Sequence, residues 1–95
     1  MAAYLIANIE VTDAADYEEY RRLVPAIIAA HGGRYLARGG ASEWFEGPVQ
    51  PKRVVVLEFP DLEKLKGFYH SPEYQRVAAV RKRSSHSSLL AVEGL

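Results

Sequence analysis

The chain contains no cysteine. Disulfides, thiolate metal sites and a thiol nucleophile are therefore excluded. There is no excess of charge of either sign, because 12 basic and 12 acidic side chains cancel. Without a global field, neither nucleic acid nor a membrane surface is an expected partner. No apolar run approaches the ~20 residues that a membrane span requires. The first residues lack a basic region, and Asn8 and Glu10 interrupt their apolar stretch, so they do not read as a signal peptide. A cytoplasmic location is the expectation. No glycine-rich phosphate loop is present, since Gly39-Gly40 lacks the spacing. His70 and His86 show no metal-ligand spacing with each other or with a carboxylate, and neither a metal nor a cofactor is expected.

What is present is an ordinary globular composition, 48% hydrophobic and 25% charged over 95 residues, which suits one domain spanning residues 1–95. Val54, Val55, Val56 and Leu57 form an unbroken apolar run between Pro51 and Pro60. Such a run marks a strand buried on both faces. A chain this short has one helical layer to offer, so the second cover is expected from another copy of the chain.

Tyr4 to Val11 alternates, with Leu5, Ala7, Ile9 and Val11 on an apolar face and Tyr4, Ile6, Asn8 and Glu10 on a mixed one. Asp13 then reads as the N-cap of a long amphipathic helix carrying Tyr17, Tyr20, Val24, Ile27, Ile28 and His31, closed by Gly32-Gly33. Pro25 falls inside it and denies the Arg21 carbonyl its helical partner, which predicts a kink. Arg34 to Arg38 alternates again, with Arg38 on the face away from Tyr35 and Ala37. Gly39-Gly40 fits a hairpin turn or a bulge, and the bulge, inside a strand continuing to Glu46, is the preferred reading. After the apolar strand, Asp61 caps a second helix, which breaks near His70 and restarts at Ser71-Pro72-Glu73. Ser84 to Ser88 reads as a polar loop, and Leu89 to Glu93 as a last strand.

The order strand, helix, strand, strand, helix, strand predicts an α+β, ferredoxin-like βαββαβ monomer, an antiparallel sheet with helices on one face. Two such sheets packed face to face would cover the buried strand.

Several segments together resemble a known group: Tyr17 to Arg21, His31-Gly32-Gly33-Arg34-Tyr35, Arg38-Gly39-Gly40, Pro51-Lys52-Arg53, Leu57-Glu58-Phe59-Pro60 and Tyr69-His70-Ser71-Pro72-Glu73-Tyr74. The chain resembles the dimeric α/β-barrel superfamily and, within it, a small bacterial family known as a domain of unknown function (DUF 1330). The resemblance implies a homodimer whose two sheets form a barrel. It implies no agreed reaction, because the wider superfamily includes cofactor-free monooxygenases, haem-handling enzymes, isomerases, lyases and modules without known activity.

Alternation places Asn8, Arg38 and Glu58 on the barrel-facing side of neighbouring strands. A carboxylate at the end of an apolar run either pairs with a cation or is tuned for proton transfer. Arg38 and Glu58 are thus read either as a structural ion pair at the dimer interface or as ligand-contacting, catalytic groups. His31, at the end of the first helix, is read as a capping residue or as a general base or haem ligand. Tyr69 and Tyr74, beside the helix break, are candidates to line a cavity and donate to a ligand oxygen. Arg76, Arg81, Lys82 and Arg83 read as a solvated basic face at a helix C-terminus. The expected function is binding of a small molecule, or cofactor-free catalysis on a small organic substrate, in a pocket between sheet and helices. The alternatives are a non-catalytic dimerisation or regulatory module and, less strongly motivated, haem handling through His31.

Overall fold

Alternation near the N-terminus is realised as a central strand with two unlike faces. In the computed structural model, which describes residues 1–95, β1 (Ala3–Val11) pairs antiparallel with β3 (Arg53–Phe59) on one side and β4 (Ser85–Glu93) on the other. β2 (Arg34–Arg38) completes a four-stranded sheet of order β2-β3-β1-β4. Helices α1 (Ala14–Ala30), α2 (Leu62–His70) and α3 (Pro72–Ser84) lie on one face of it. This is a ferredoxin-like α+β fold whose second helical connection is broken in two.

The helix ends follow the local chemistry. Asp13 accepts from the Asp16 amide at 3.2 Å, and Asp61 from the Lys64 amide at 2.7 Å. Ser71 ends α2 and starts α3: its hydroxyl donates to the Phe68 carbonyl at 2.8 Å and accepts from the Tyr74 amide at 3.1 Å, with Pro72 at the first helical position. Gly32, at φ +79°, terminates α1. Pro25 sits inside α1 without ending it. The Arg21 carbonyl it leaves free accepts a hydrogen bond from Arg38 Nη2 at 3.1 Å.

The core joins Leu5, Ala7, Ile9, Leu57 and Phe59 of the sheet to Tyr17, Tyr20, Val24 and Ile28 of α1 and to the inner residues of α2 and α3. Phe68 is its centre, with ring centroids 4.4 Å from Tyr74 and 5.2 Å from Phe59. The opposite sheet face is open in the single chain. There Ile6 stands between Val56 and Leu90 in register, and Ile6, Leu90 and Val92 are 39%, 63% and 44% exposed.

Three expectations are corrected. β2 ends at Arg38, and no strand runs from Ala41 to Glu46; Gly39, at φ +66°, turns the chain out of the sheet. A bulge does exist, but it lies between Tyr35 and Ala37 rather than at the glycine pair. Finally, Ser85 to Ser88 are not a loop: they open β4 and pair with residues 8 to 11 of β1.

The bulge has a further consequence. Tyr35 stands opposite Leu57, Ala37 opposite Val56 and Arg38 opposite Val55. The extra residue reverses the alternation, so Arg38 shares the helix-facing side with Val55 and Leu57, not the open side with Glu58. The expected Arg38–Glu58 pair is therefore not formed. Glu58 instead accepts from Arg34 Nε at 2.7 Å.

Candidate functional site

A cavity lies between α1 and the sheet. Its walls are largely apolar, built from Leu5, Ala7 and Ile9 of β1, Val55 and Leu57 of β3, and Val24 and Ile28 of α1. The space open to the centre of a water-sized sphere is about 30 Å³, enough for about two waters. Three tyrosines, Tyr17, Tyr20 and Tyr35, and four arginines, Arg21, Arg38, Arg53 and Arg81, complete the wall.

Each polar wall residue is placed by its element. Arg21 follows Tyr17 and precedes Val24 at helical spacing on the inner stripe of α1. Arg81 continues the buried stripe Tyr74, Val77, Ala78 of α3, and only 4% of its surface is exposed. Arg53 alternates with Val55 and Leu57 on β3. Its guanidinium lies against Gly39, where a Cβ would collide with it, and stands 5.9 Å from the Tyr17 ring centroid. Arg38 lies over the Tyr35 ring at 4.5 Å.

Two of the phenols, Tyr20 and Tyr35, are held neutral by burial. Burial pushes the Tyr20 hydroxyl well above the ordinary tyrosine value, and the neighbouring Tyr74 adds to the shift. The two hydroxyls are 3.0 Å apart. Burial also raises Tyr35, although Arg38 works in the opposite direction. The walls contain no carboxylate, imidazole or thiol. What they offer chemically is shape, phenolic hydrogen bonds and positive charge.

The residues singled out from sequence do not assemble into one site. Arg38 lines the cavity, and Tyr74 touches it through Tyr20. Glu58 is on the opposite, open face, and so is Asn8, which stands in register with Val54 and accepts from the Lys52 amide at 3.1 Å. His31 caps α1, its Nδ1 3.0 Å from the Ile27 carbonyl and its ring edge-on to Phe68. Tyr69 lies outside the cavity, in an open groove with Arg81, Lys82, Ser85, His86, Ser87 and Leu89. Of the basic group on α3, Arg83 is paired with Asp16 at 3.0 Å, whereas Arg81 faces inward rather than forming part of a solvated face. Arg21, Arg53, Arg81 and the phenols Tyr17, Tyr20 and Tyr35 were not recognised as a group from the sequence. The available signal was positional: all three arginines fall on the apolar stripes of their elements.

Fold and cavity together define a ferredoxin-like domain with an arginine-lined space on the helix side of its sheet. The sequence model of the domain of unknown function family DUF1330 matches residues 2–95, and the chain belongs to that family. Among solved structures, a protein of unknown function from Rhodopseudomonas palustris superposes with TM-score 0.79 at 17% identity, over 99% of this chain and 82% of that one. A dimeric ferredoxin-like protein of unknown function from Jannaschia sp. CCS1 gives 0.73 at 16% identity, over 99% and 100%. SnoaB, a cofactor-independent oxygenase from Streptomyces nogalater, gives 0.68 at 13% identity, over 99% and 93%. At these identities the likeness is one of fold. No curated protein matches the sequence.

Proposed function

We propose that this protein binds a small organic molecule in the cavity between α1 and the sheet together with the groove that opens beside it at Arg81 and Leu89, and does so as a homodimer. The observation carrying the reading is the cavity itself, an apolar space lined by three phenols and four arginines, of which Arg81 is buried, Arg53 half-buried, and Arg21 and Arg38 reach solvent. An apolar cleft with a few convergent polar side chains is the usual form of a small-molecule site. The wall fits binding and orientation better than proton abstraction, since it holds no carboxylate or imidazole. A cofactor-free enzyme working here would stabilise charge on its substrate and take its base from substrate or solvent. His31 is assigned to the end of α1 rather than to haem.

The homodimer is supported by the apolar stripe Ile6, Leu90 and Val92 on the open face and by relatives described as dimeric. Assembly and binding then use opposite faces of one sheet, and a dimerisation module and a ligand-binding protein become one molecule. A cytoplasmic location belongs to the same reading and is checked by cell fractionation.

Ala7 is the probe for the cavity, being buried and part of its floor. Ligands are first found by thermal shift against a chemically varied library. Ala7→Leu fills the space, so every cavity ligand should lose its effect while the dimer persists. Retention of binding by Ala7→Leu dimers would remove the cavity as the site.

A further inference from the structure

Resting on the cavity reading, we propose that the ligand is a small organic acid, its carboxylate held inside by Arg53 and Arg81 and its body extending past Arg81 into the neighbouring groove. Four arginines line this space and not one aspartate or glutamate does. The imbalance is local, because the chain as a whole is neutral. Arg21 has an outward pairing with Glu18 at 3.1 Å; Arg53 and Arg81 take part in no ion pair. The Nε atoms of Arg21, Arg53 and Arg81 are buried without any hydrogen-bond partner. For Arg81, more than nine-tenths buried, the one side-chain partner is the neutral hydroxyl of Ser87.

A buried guanidinium left in this state, as that of Arg81 is, is costly, and proteins keep one where something else supplies the negative charge. An internal tyrosinate is not that source, since burial keeps Tyr20 and Tyr35 protonated. The open groove beside the cavity repeats the pattern: it shares Arg81 and Leu89, adds Lys82 and His86, and also lacks any carboxylate. Planar forked donors match a carboxylate in two-point contact. The narrow inner space, with room for about two water-sized atoms, suits the oxygen pair of a carboxylate better than a tetrahedral phosphate. The groove, of about 470 Å³, offers room for a ligand body that extends past Arg81.

The test is calorimetric titration of the dimer at neutral pH with matched acids and amides: benzoate and benzamide, 2-naphthoate and 2-naphthamide, hexanoate and hexanamide, together with inorganic phosphate. At least one acid should bind about tenfold or more tightly than its amide, and more tightly than phosphate. Arg53→Gln and Arg81→Gln should each erase that preference while leaving the weaker amide affinity in place. A third variant covers the case in which these are unstable. Arg81→Met in ligand-free protein should keep or raise the melting temperature, because it removes an uncompensated buried charge. A marked drop would mark Arg81 as structural and overturn the proposal. Amides binding as tightly as acids, with binding lost in Ala7→Leu, would overturn the carboxylate and leave the cavity reading intact. Phosphate binding more tightly than every acid would overturn the carboxylate as well. No binding of any acid or amide would overturn the carboxylate, while the library screen with Ala7→Leu decides the cavity reading separately.

Discussion

At the scale of single residues, burial decides which charges matter. Glu58 and Arg34 meet at 2.7 Å, but the Arg34 side chain is 70% exposed. An ion pair so hydrated contributes at most about 1 kcal/mol, so Glu58→Gln should lower stability by no more than that in urea denaturation at fixed protein concentration. A loss near 3 kcal/mol would mean that both groups are dry in the assembly. Tyr20 and Tyr35 give a second prediction. Their folded-state values lie above the ordinary 10.0, so the folded chain holds protons that the unfolded chain releases. The stability they contribute is complete below pH 10 and falls as pH rises beyond it, by up to about 1.4 kcal/mol per unit for each phenol. Ultraviolet titration should show a group of tyrosines that ionises only as the protein unfolds. Smooth ionisation of all six near the ordinary value in folded protein would contradict this.

Elements carry the link between a helix defect and the cavity. Pro25 frees the Arg21 carbonyl, and the β2 bulge delivers Arg38 to take it. Pro25→Ala restores the helical partner, so stability should rise by about 1 kcal/mol with α1 intact. Shortening or loss of α1 by circular dichroism would contradict that account. Deleting Leu36 removes the extra residue of the bulge and should return Arg38 to the open face, lowering affinity for cavity ligands. The sequence declared its helices and their caps clearly, because Asp13, Asp61 and Ser71 act within a few residues of themselves. It declared β1 and β3 equally well, through alternation and an unbroken apolar run. The bulge was hidden: it carries no glycine, whereas Gly39-Gly40 nearby offered a plausible but wrong location. One displaced residue moved Arg38 across the sheet and dissolved the expected pair with Glu58. Arg81 was masked differently, since basic residues at a helix C-terminus are usually solvated, and only its place in the stripe with Tyr74, Val77 and Ala78 pointed inward.

For the whole molecule, the two faces of the sheet differ in what they present. The helix face encloses the cavity, and the open face exposes Ile6, Leu90 and Val92, the stripe on which the proposed homodimer rests. Light scattering after size exclusion should give twice the chain mass at micromolar concentration, and dilution should lower the melting temperature because folding and association are linked. Ile6→Asp should shift the equilibrium to monomer, since it sets like charges into the middle of the apolar stripe. The helix-side cavity as the functional site is checked by nitrogen–proton correlation spectra of the protein titrated with an aromatic acid that binds it. The Nε–H resonances of Arg53 and Arg81 and the amides of Ala7, Val24 and Val55 should move together. Shifts confined to Ile6, Glu58 and Leu90 on the open face, with those arginine resonances still, would contradict it.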